Sequence, residues 1–196
     1  MPKKKSVKKA ARSFVAHAEE LTKFLGAVCP GLSEDHRSWV HDYAIVRLYR
    51  GFERMILEAL VGAVNNDTST LAVKTGIRFP KHLTDEVCEY LITHGGYFDF
   101  KGRSGLIQQA ERYVPKGHYV VAIVKKSAYT AALDQLCSLR NFAAHSSSIS
   151  KARAKEALGV KNISSAGSWL KKQNRFGGIV DSLKRLASEI EAGAPY

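Results

Sequence analysis

The stretch from Ser33 to Val64, SEDHRSWVHDYAIVRLYRGFERMILEALVGAV, decides the fold class. Ser33 is a good helix N-cap, and Glu34 and Asp35 follow where the helix dipole favours negative charge. No proline interrupts what comes next. Tyr43, Val46, Tyr49, Phe52, Ile56, Leu57, Leu60 and Val64 recur at helical spacing and form a wide apolar arc. Arg47, Arg54 and Glu58 fall on the opposite face. Arg50 and Glu53 fall inside the arc, where an isolated buried charge is very costly. They read as an internal ion pair or a rim position, or else Glu53 is a carboxylate lining a site. Asn65-Asn66-Asp67 ends the helix, the longest in the chain.

Working outward, the same period extends over most of the sequence. Residues 6–28 read as a helix, with Phe14, Val15, Ala18, Leu21, Phe24 and Leu25 on one side and Pro30-Gly31 as the breaker. Residues 67–82 read as a loop with a short extended piece. Thr84 caps a helix to Thr93, stopped by Gly95-Gly96. A turn-rich connection over 97–103 leads to a short helix over 106–113, broken by Pro115–Gly117. From Tyr119 to Ala143 the spacing predicts one helix, with Ser146-Ser147-Ser148 as its exit. Ser150 caps a short helix over 151–158. Gly159 and Gly177-Gly178 punctuate the remainder, and Ile179 to Ile190 closes it as an amphipathic helix. No stretch reads as a convincing strand, so the expected fold is an all-α bundle.

The 196 residues are 45% hydrophobic, which suits one compact domain. No apolar run reaches the ~18–20 residues that span a bilayer. Met1-Pro2-Lys3-Lys4-Lys5 has no apolar run behind it and does not read as a secretory signal, so the cytosol is the expected location. Lys3–Lys5 superficially resembles a nuclear localisation patch but reads first as a solvated, frayed tail. Cys29, Cys88 and Cys137 are odd in number and lack Cys-x-x-Cys spacing, which argues against a disulfide framework and a zinc site. Thirty Lys and Arg against eighteen Asp and Glu give a net charge of +12. That favours a polyanionic partner, nucleic acid first. The excess crowds the two ends of the chain, from Lys3 to Arg12 and from Lys151 to Arg185.

One stretch carries chemistry: Arg140-Asn141-Phe142-Ala143-Ala144-His145. Twelve arginines and seven histidines give about 0.4 Arg-x4-His pairs by chance, so spacing alone proves little. Arg12 and His17 have the same spacing within a lysine-rich terminal helix, and Arg112 and His118 straddle a breaker. The pair at 140 and 145 differs in context. It ends a buried helix, Asn141 follows the arginine directly, and the small Ala143 and Ala144 allow close approach.

In this form the segment resembles the HEPN superfamily, whose signature is an arginine, four to six residues, and a histidine, often with a polar residue after the arginine. Tyr49-Arg50-Gly51-Phe52-Glu53-Arg54 is similar to the aromatic-Glu element of its RiboL-PSP-HEPN branch. The likeness covers residues 36–160, leaving 1–35 as a basic helical extension and 161–196 as a helical segment packing on the core. It implies a bundle with long antiparallel core helices. It also implies a metal-independent endoribonuclease that works as a homodimer with two motifs facing one cleft, in toxin or antiviral roles, with an antitoxin or inhibitor protein as partner. Arg140 and His145 carry over as catalytic residues, and Asn141 and Glu53 as supporting ones. Arg50, Lys151 and Arg153 are the candidate RNA contacts.

The residue chemistry fits that activity. Cleaving RNA without metal requires a base for the 2′-OH, an acid for the leaving 5′-oxygen, and cations for the crowded phosphorane. Histidine titrates near neutrality and arginine presents a charged planar fork. One motif supplies one histidine, and a two-fold dimer supplies two. Five helical steps rotate Arg140 and His145 by ~140°, so the expectation is that the helix ends or bends between them. A helical RNA-binding or partner-binding HEPN module without catalysis is the alternative. A DNA-associated factor driven by charge is a third.

Overall fold

The computed structural model describes residues 5–80 and 82–195. The chain is all-α: no strand occurs among the described residues. Ten helices follow in order among them: α1 Val7–Val28, α2 Glu34–Asn66, α3 Ser69–Thr75, α4 Asp85–Thr93, α5 Gly102–Ala110, α6 Tyr119–Val124, α7 Thr130–His145, α8 Ser148–Leu158, α9 Ala166–Leu170 and α10 Arg175–Gly193. No helix among the described residues is long and apolar enough to cross a membrane. Apart from Lys5, the Lys3–Lys5 run lies outside the described residues.

Helix α2 is the axis. Its 33 residues extend about 50 Å at ~1.5 Å per residue. The Ser33 hydroxyl accepts from the His36 N–H, capping the helix as its sequence dictates. Ile45, Leu48, Phe52, Met55, Ile56 and Leu60 are fully buried, against α1, α4, α7, α9 and α10. Burying each such side chain contributes about 1.5–3 kcal/mol before chain entropy is charged against it. The apolar arc departs from the wheel at two places: Tyr43 and Arg50 are exposed. At its edges the arc meets solvent or the groove described below, so the arginine needs no buried partner.

Both flanks build the core. Val7, Ala10, Ala11, Phe14, Ala18, Leu21 and Leu25 of α1 are buried, against α2 and α10. Phe14 packs edge-on against Phe52, with ring centroids 5.6 Å apart. Gly51 permits the crossing, since a Cβ there would lie 2.7 Å from His17 Cδ2. Arg12–Glu191 and Lys184–Glu19 tie α1 to α10 at 2.5 and 2.6 Å. Before α1 begins, the Lys5 N–H donates to Asp85 Oδ2 at 2.7 Å, fastening that end to α4.

The predicted single helix over 119–143 is two helices. Lys126 is extended, with φ −60° and ψ 132°, and a short 3₁₀ turn over Ser127–Tyr129 leads into α7. The break is stabilised from outside. The Arg103 guanidinium donates to the Val124 carbonyl at 2.9 Å and to the Lys125 carbonyl, satisfying acceptors that a continuous helix would have used. That arginine is held in turn, because its N–H donates to Asp134 Oδ1 at 2.9 Å. Within the predicted 67–82 loop, residues Ser69–Thr75 form α3, closed by Gly76 at φ +70°. Helix α5 begins at Gly102, ahead of the predicted Leu106. Helix α8 begins at Ser148, capped by Ser147 with Ser150 as its reciprocal partner. Helix α10 runs through Gly177-Gly178, and Gly177 leaves room for the Asn174 side chain, since a Cβ there would lie 2.3 Å from Asn174 Oδ1.

Candidate active site

Three segments converge on one guanidinium. Helix α2 presents Tyr49 and Glu53 one turn apart, on neighbouring positions of one face. Helix α7 presents Arg140 from its last turns. The loop between α4 and α5 presents Asp99, anchored on either side by buried Phe98 and Phe100.

Tyr49 is the platform. It is almost fully buried, and its ring stacks on Phe100 with centroids 5.3 Å apart. Its hydroxyl donates to Asp99 Oδ1 at 2.7 Å. The Arg140 guanidinium lies flat over the same ring, 3.9 Å from its centroid, a cation–π contact worth about 0.5–2 kcal/mol. One terminal nitrogen of Arg140 donates to Asp99 Oδ1 at 3.0 Å and the other to Asn141 Oδ1 at 2.7 Å. The Arg140 side chain is 20% exposed and that of Asp99 55%. The cation is therefore held in one orientation at the edge of solvent, available to a phosphate and not sealed inside.

Burial, then the hydrogen bond to Asp99, raises the Tyr49 hydroxyl far above the usual phenol range. The ring therefore stays neutral and electron-rich beneath the cation. Glu53 is half-buried beside this group. Burial pushes its carboxyl up to about 7; Arg140 pulls in the opposite direction, and Asp99 adds to the rise. A carboxyl of that kind exchanges its proton near neutral pH. The Cys137 thiol, buried in the same region, is pushed up to about 12 by desolvation and is no nucleophile.

The sequence pattern groups Arg140, Asn141, Glu53 and His145. The structure gathers the first three. His145 is exposed and is the last residue of α7. The helix does not end before it; Ser146 stops it in the left-handed region at φ 48°. Five residues of unbroken helix separate the two side chains by about 7.5 Å along the axis and ~140° around it. Within one chain Arg140 and His145 thus face different directions. Hydrogen bonding holds Arg140 through Asp99 and Asn141, while Glu53 acts on it through its field.

Sequence reasoning misses Asp99. Its signal is the Phe98-Asp99-Phe100 alternation in a connection that reads only as turns: two buried rings fix the direction of the carboxylate between them. Arg50, Lys151 and Arg153 are all exposed, the last two on α8. Among the described residues, no group of three or more His, Cys, Asp or Glu side chains could hold a metal ion.

A groove of about 1210 Å³ opens beside Glu53, between α1, α2, the end of α4 and the loop that follows it. No family model, curated protein or solved structure matches the chain.

Proposed function

We propose that the chain is a metal-independent endoribonuclease of HEPN type, acting on RNA as a two-fold dimer. The observation that carries the proposal is the fixed state of Arg140. Its guanidinium lies over Tyr49 and is braced by Asp99 and Asn141. One turn along α2 from that platform lies Glu53, a group that titrates near neutral pH. A preoriented, partly exposed cation is what a developing phosphorane needs, because its dipoles cost no reorganisation when charge appears.

The reaction follows from these parts. The RNA 2′-oxygen attacks the adjacent phosphorus as a base takes its proton. The phosphorus–5′-oxygen bond breaks as an acid protonates the leaving oxygen. The products are a 2′,3′-cyclic phosphate and a 5′-OH. His145 is the exposed histidine of the motif, and Glu53, its carboxyl raised by burial, is a second group able to exchange a proton near neutral pH. A partner's motif would bring a second histidine toward Arg140, an arrangement that the ~140° separation within one chain favours. Toxin or antiviral roles, and an inhibitor protein as partner, remain what the HEPN likeness implies.

One observation favours a second reading, a non-catalytic RNA-binding or partner-binding module. Both terminal nitrogens of Arg140 already donate to protein oxygens, neither of them on His145. End-group analysis separates the two. The nuclease gives 2′,3′-cyclic phosphate ends, and RNA with a 2′-O-methyl at the cut site resists. A binding module leaves both RNAs whole.

A further inference from the structure

The groove beside Glu53 has a composition that the catalytic cluster does not explain. Five Lys and Arg side chains line it against three carboxylates, and two of those carboxylates are already committed. Glu89 pairs with Lys5 at 2.5 Å and Glu58 with Arg54 at 2.9 Å. Lys9, Arg47 and Arg50 have no ion-pair partner among the described residues and face the groove. Phe14 and Met55 supply an apolar floor.

At the mouth stands Tyr97. It is 99% exposed, the most exposed large hydrophobic side chain among the described residues. An exposed ring beside a cationic groove offers a free face on which a base can stack. Phe98, next in sequence, is buried, and Asp99 follows, bonded to Arg140. Tyr97 is therefore tied through two residues to the catalytic cluster. Glu53 belongs to the groove wall and to the cluster at once.

We infer that this groove binds a single strand of RNA, with Arg47, Arg50 and Lys9 on its phosphates and Tyr97 stacked on a base, and leads it to Arg140. A cationic rim, an apolar floor and an exposed ring together fit a single strand, whose bases have free faces. A duplex offers phosphates but keeps its bases stacked internally. The inference rests on the proposed nuclease reading for the direction of the strand. The binding itself is testable without cleavage.

The test uses the full chain and a fluorescein-labelled 2′-O-methyl oligonucleotide of about 12 nucleotides, a length within single-strand site sizes. Fluorescence anisotropy gives Kd over a salt series. Arg47→Ala combined with Arg50→Ala should weaken binding at least about tenfold and reduce the salt slope by about 0.7 for each phosphate left without its cation. Tyr97→Ala should weaken it about fivefold or more with the slope unchanged. Lys116→Ala combined with Lys161→Ala, two exposed lysines that do not line the groove, is the control and should bind as wild type. All these side chains are exposed, so folding is not at issue.

Unchanged affinity in the Arg47 and Arg50 variant overturns the inference. So does a duplex that binds as well as the single strand, or a polyphosphate that competes equally while Tyr97→Ala has no effect. Normal cleavage by groove variants with unchanged binding removes the groove and leaves the nuclease reading intact. Groove-dependent binding by a chain that cleaves no RNA supports the groove and removes the nuclease.

Discussion

The Arg140 guanidinium lies 3.9 Å from the centroid of the Tyr49 ring, and both residues bond the same oxygen, Asp99 Oδ1. That shared acceptor makes ring, cation and carboxylate one unit. Moving any one of them removes a contact from each of the other two.

Tyr49→Phe keeps the ring and removes the hydroxyl. It should cost about 0.5–1.5 kcal/mol in chemical denaturation, the worth of one hydrogen bond, and leave the helical CD signal unchanged. Tyr49→Ala also empties a buried aromatic site and should cost about 3–5 kcal/mol. Equal losses for the two variants would mean that the ring carries no packing role.

Asp99→Asn keeps the shape and removes the charge. Because Asp99 is half exposed, the loss in stability should stay below about 1 kcal/mol. RNA cleavage should fall by about tenfold or more, since Arg140 loses its brace. A variant that cleaves as wild type would show Asp99 to be incidental.

Glu53 makes the site pH-sensitive in a defined direction. Its carboxyl is raised from 4.5 to about 7 in the folded chain. Between those values the folded state holds a proton that the unfolded state has released. This contribution is fully present below about pH 4.5 and is lost as pH rises through about 7. The decline should be about 1–2 kcal/mol after allowance for solvent screening, and Glu53→Gln should flatten it. In carbon-detected titration the Glu53 pKa should fall in Asp99→Asn and rise in Arg140→Met. Shifts of the opposite sign would contradict the arrangement.

Gly167 tests the fold away from the site. A Cβ there would lie 1.8 Å from the Ser38 carbonyl oxygen, where α9 meets α2, and the Gly167 N–H donates to Asp42 Oδ1 at 2.6 Å. Gly167→Ala must push the two helices apart. It should cost at least about 2 kcal/mol, visible as a drop of roughly 5 °C in Tm. An unchanged Tm would mean that α9 does not dock there.

The helical class is legible because α2 carries its period without interruption and Ser33 and Thr84 sit where caps belong. The break before α7 is not legible. It is stabilised by Arg103, more than twenty residues away in sequence, and no local residue announces it. The Arg140 and Asn141 pairing is visible as adjacency, and Glu53 as a charge in an apolar arc. Asp99 stays hidden because its role depends on a loop meeting α2 and α7 in space. Of the two readings of Arg50, the rim position is the one that holds: it is exposed at the groove. Periodicity reports which way a residue points and not what stands opposite it.

The most direct measurement incubates the wild-type chain, His145→Ala and Arg140→Ala with unmodified RNA in EDTA, each purified to the same standard and matched by CD. Wild type should cleave to 2′,3′-cyclic phosphate and 5′-OH ends, and both variants should keep their helical signal and lose cleavage. Full activity in His145→Ala, or wild-type cleavage that leaves 5′-phosphate ends, would contradict a motif-driven, metal-independent nuclease.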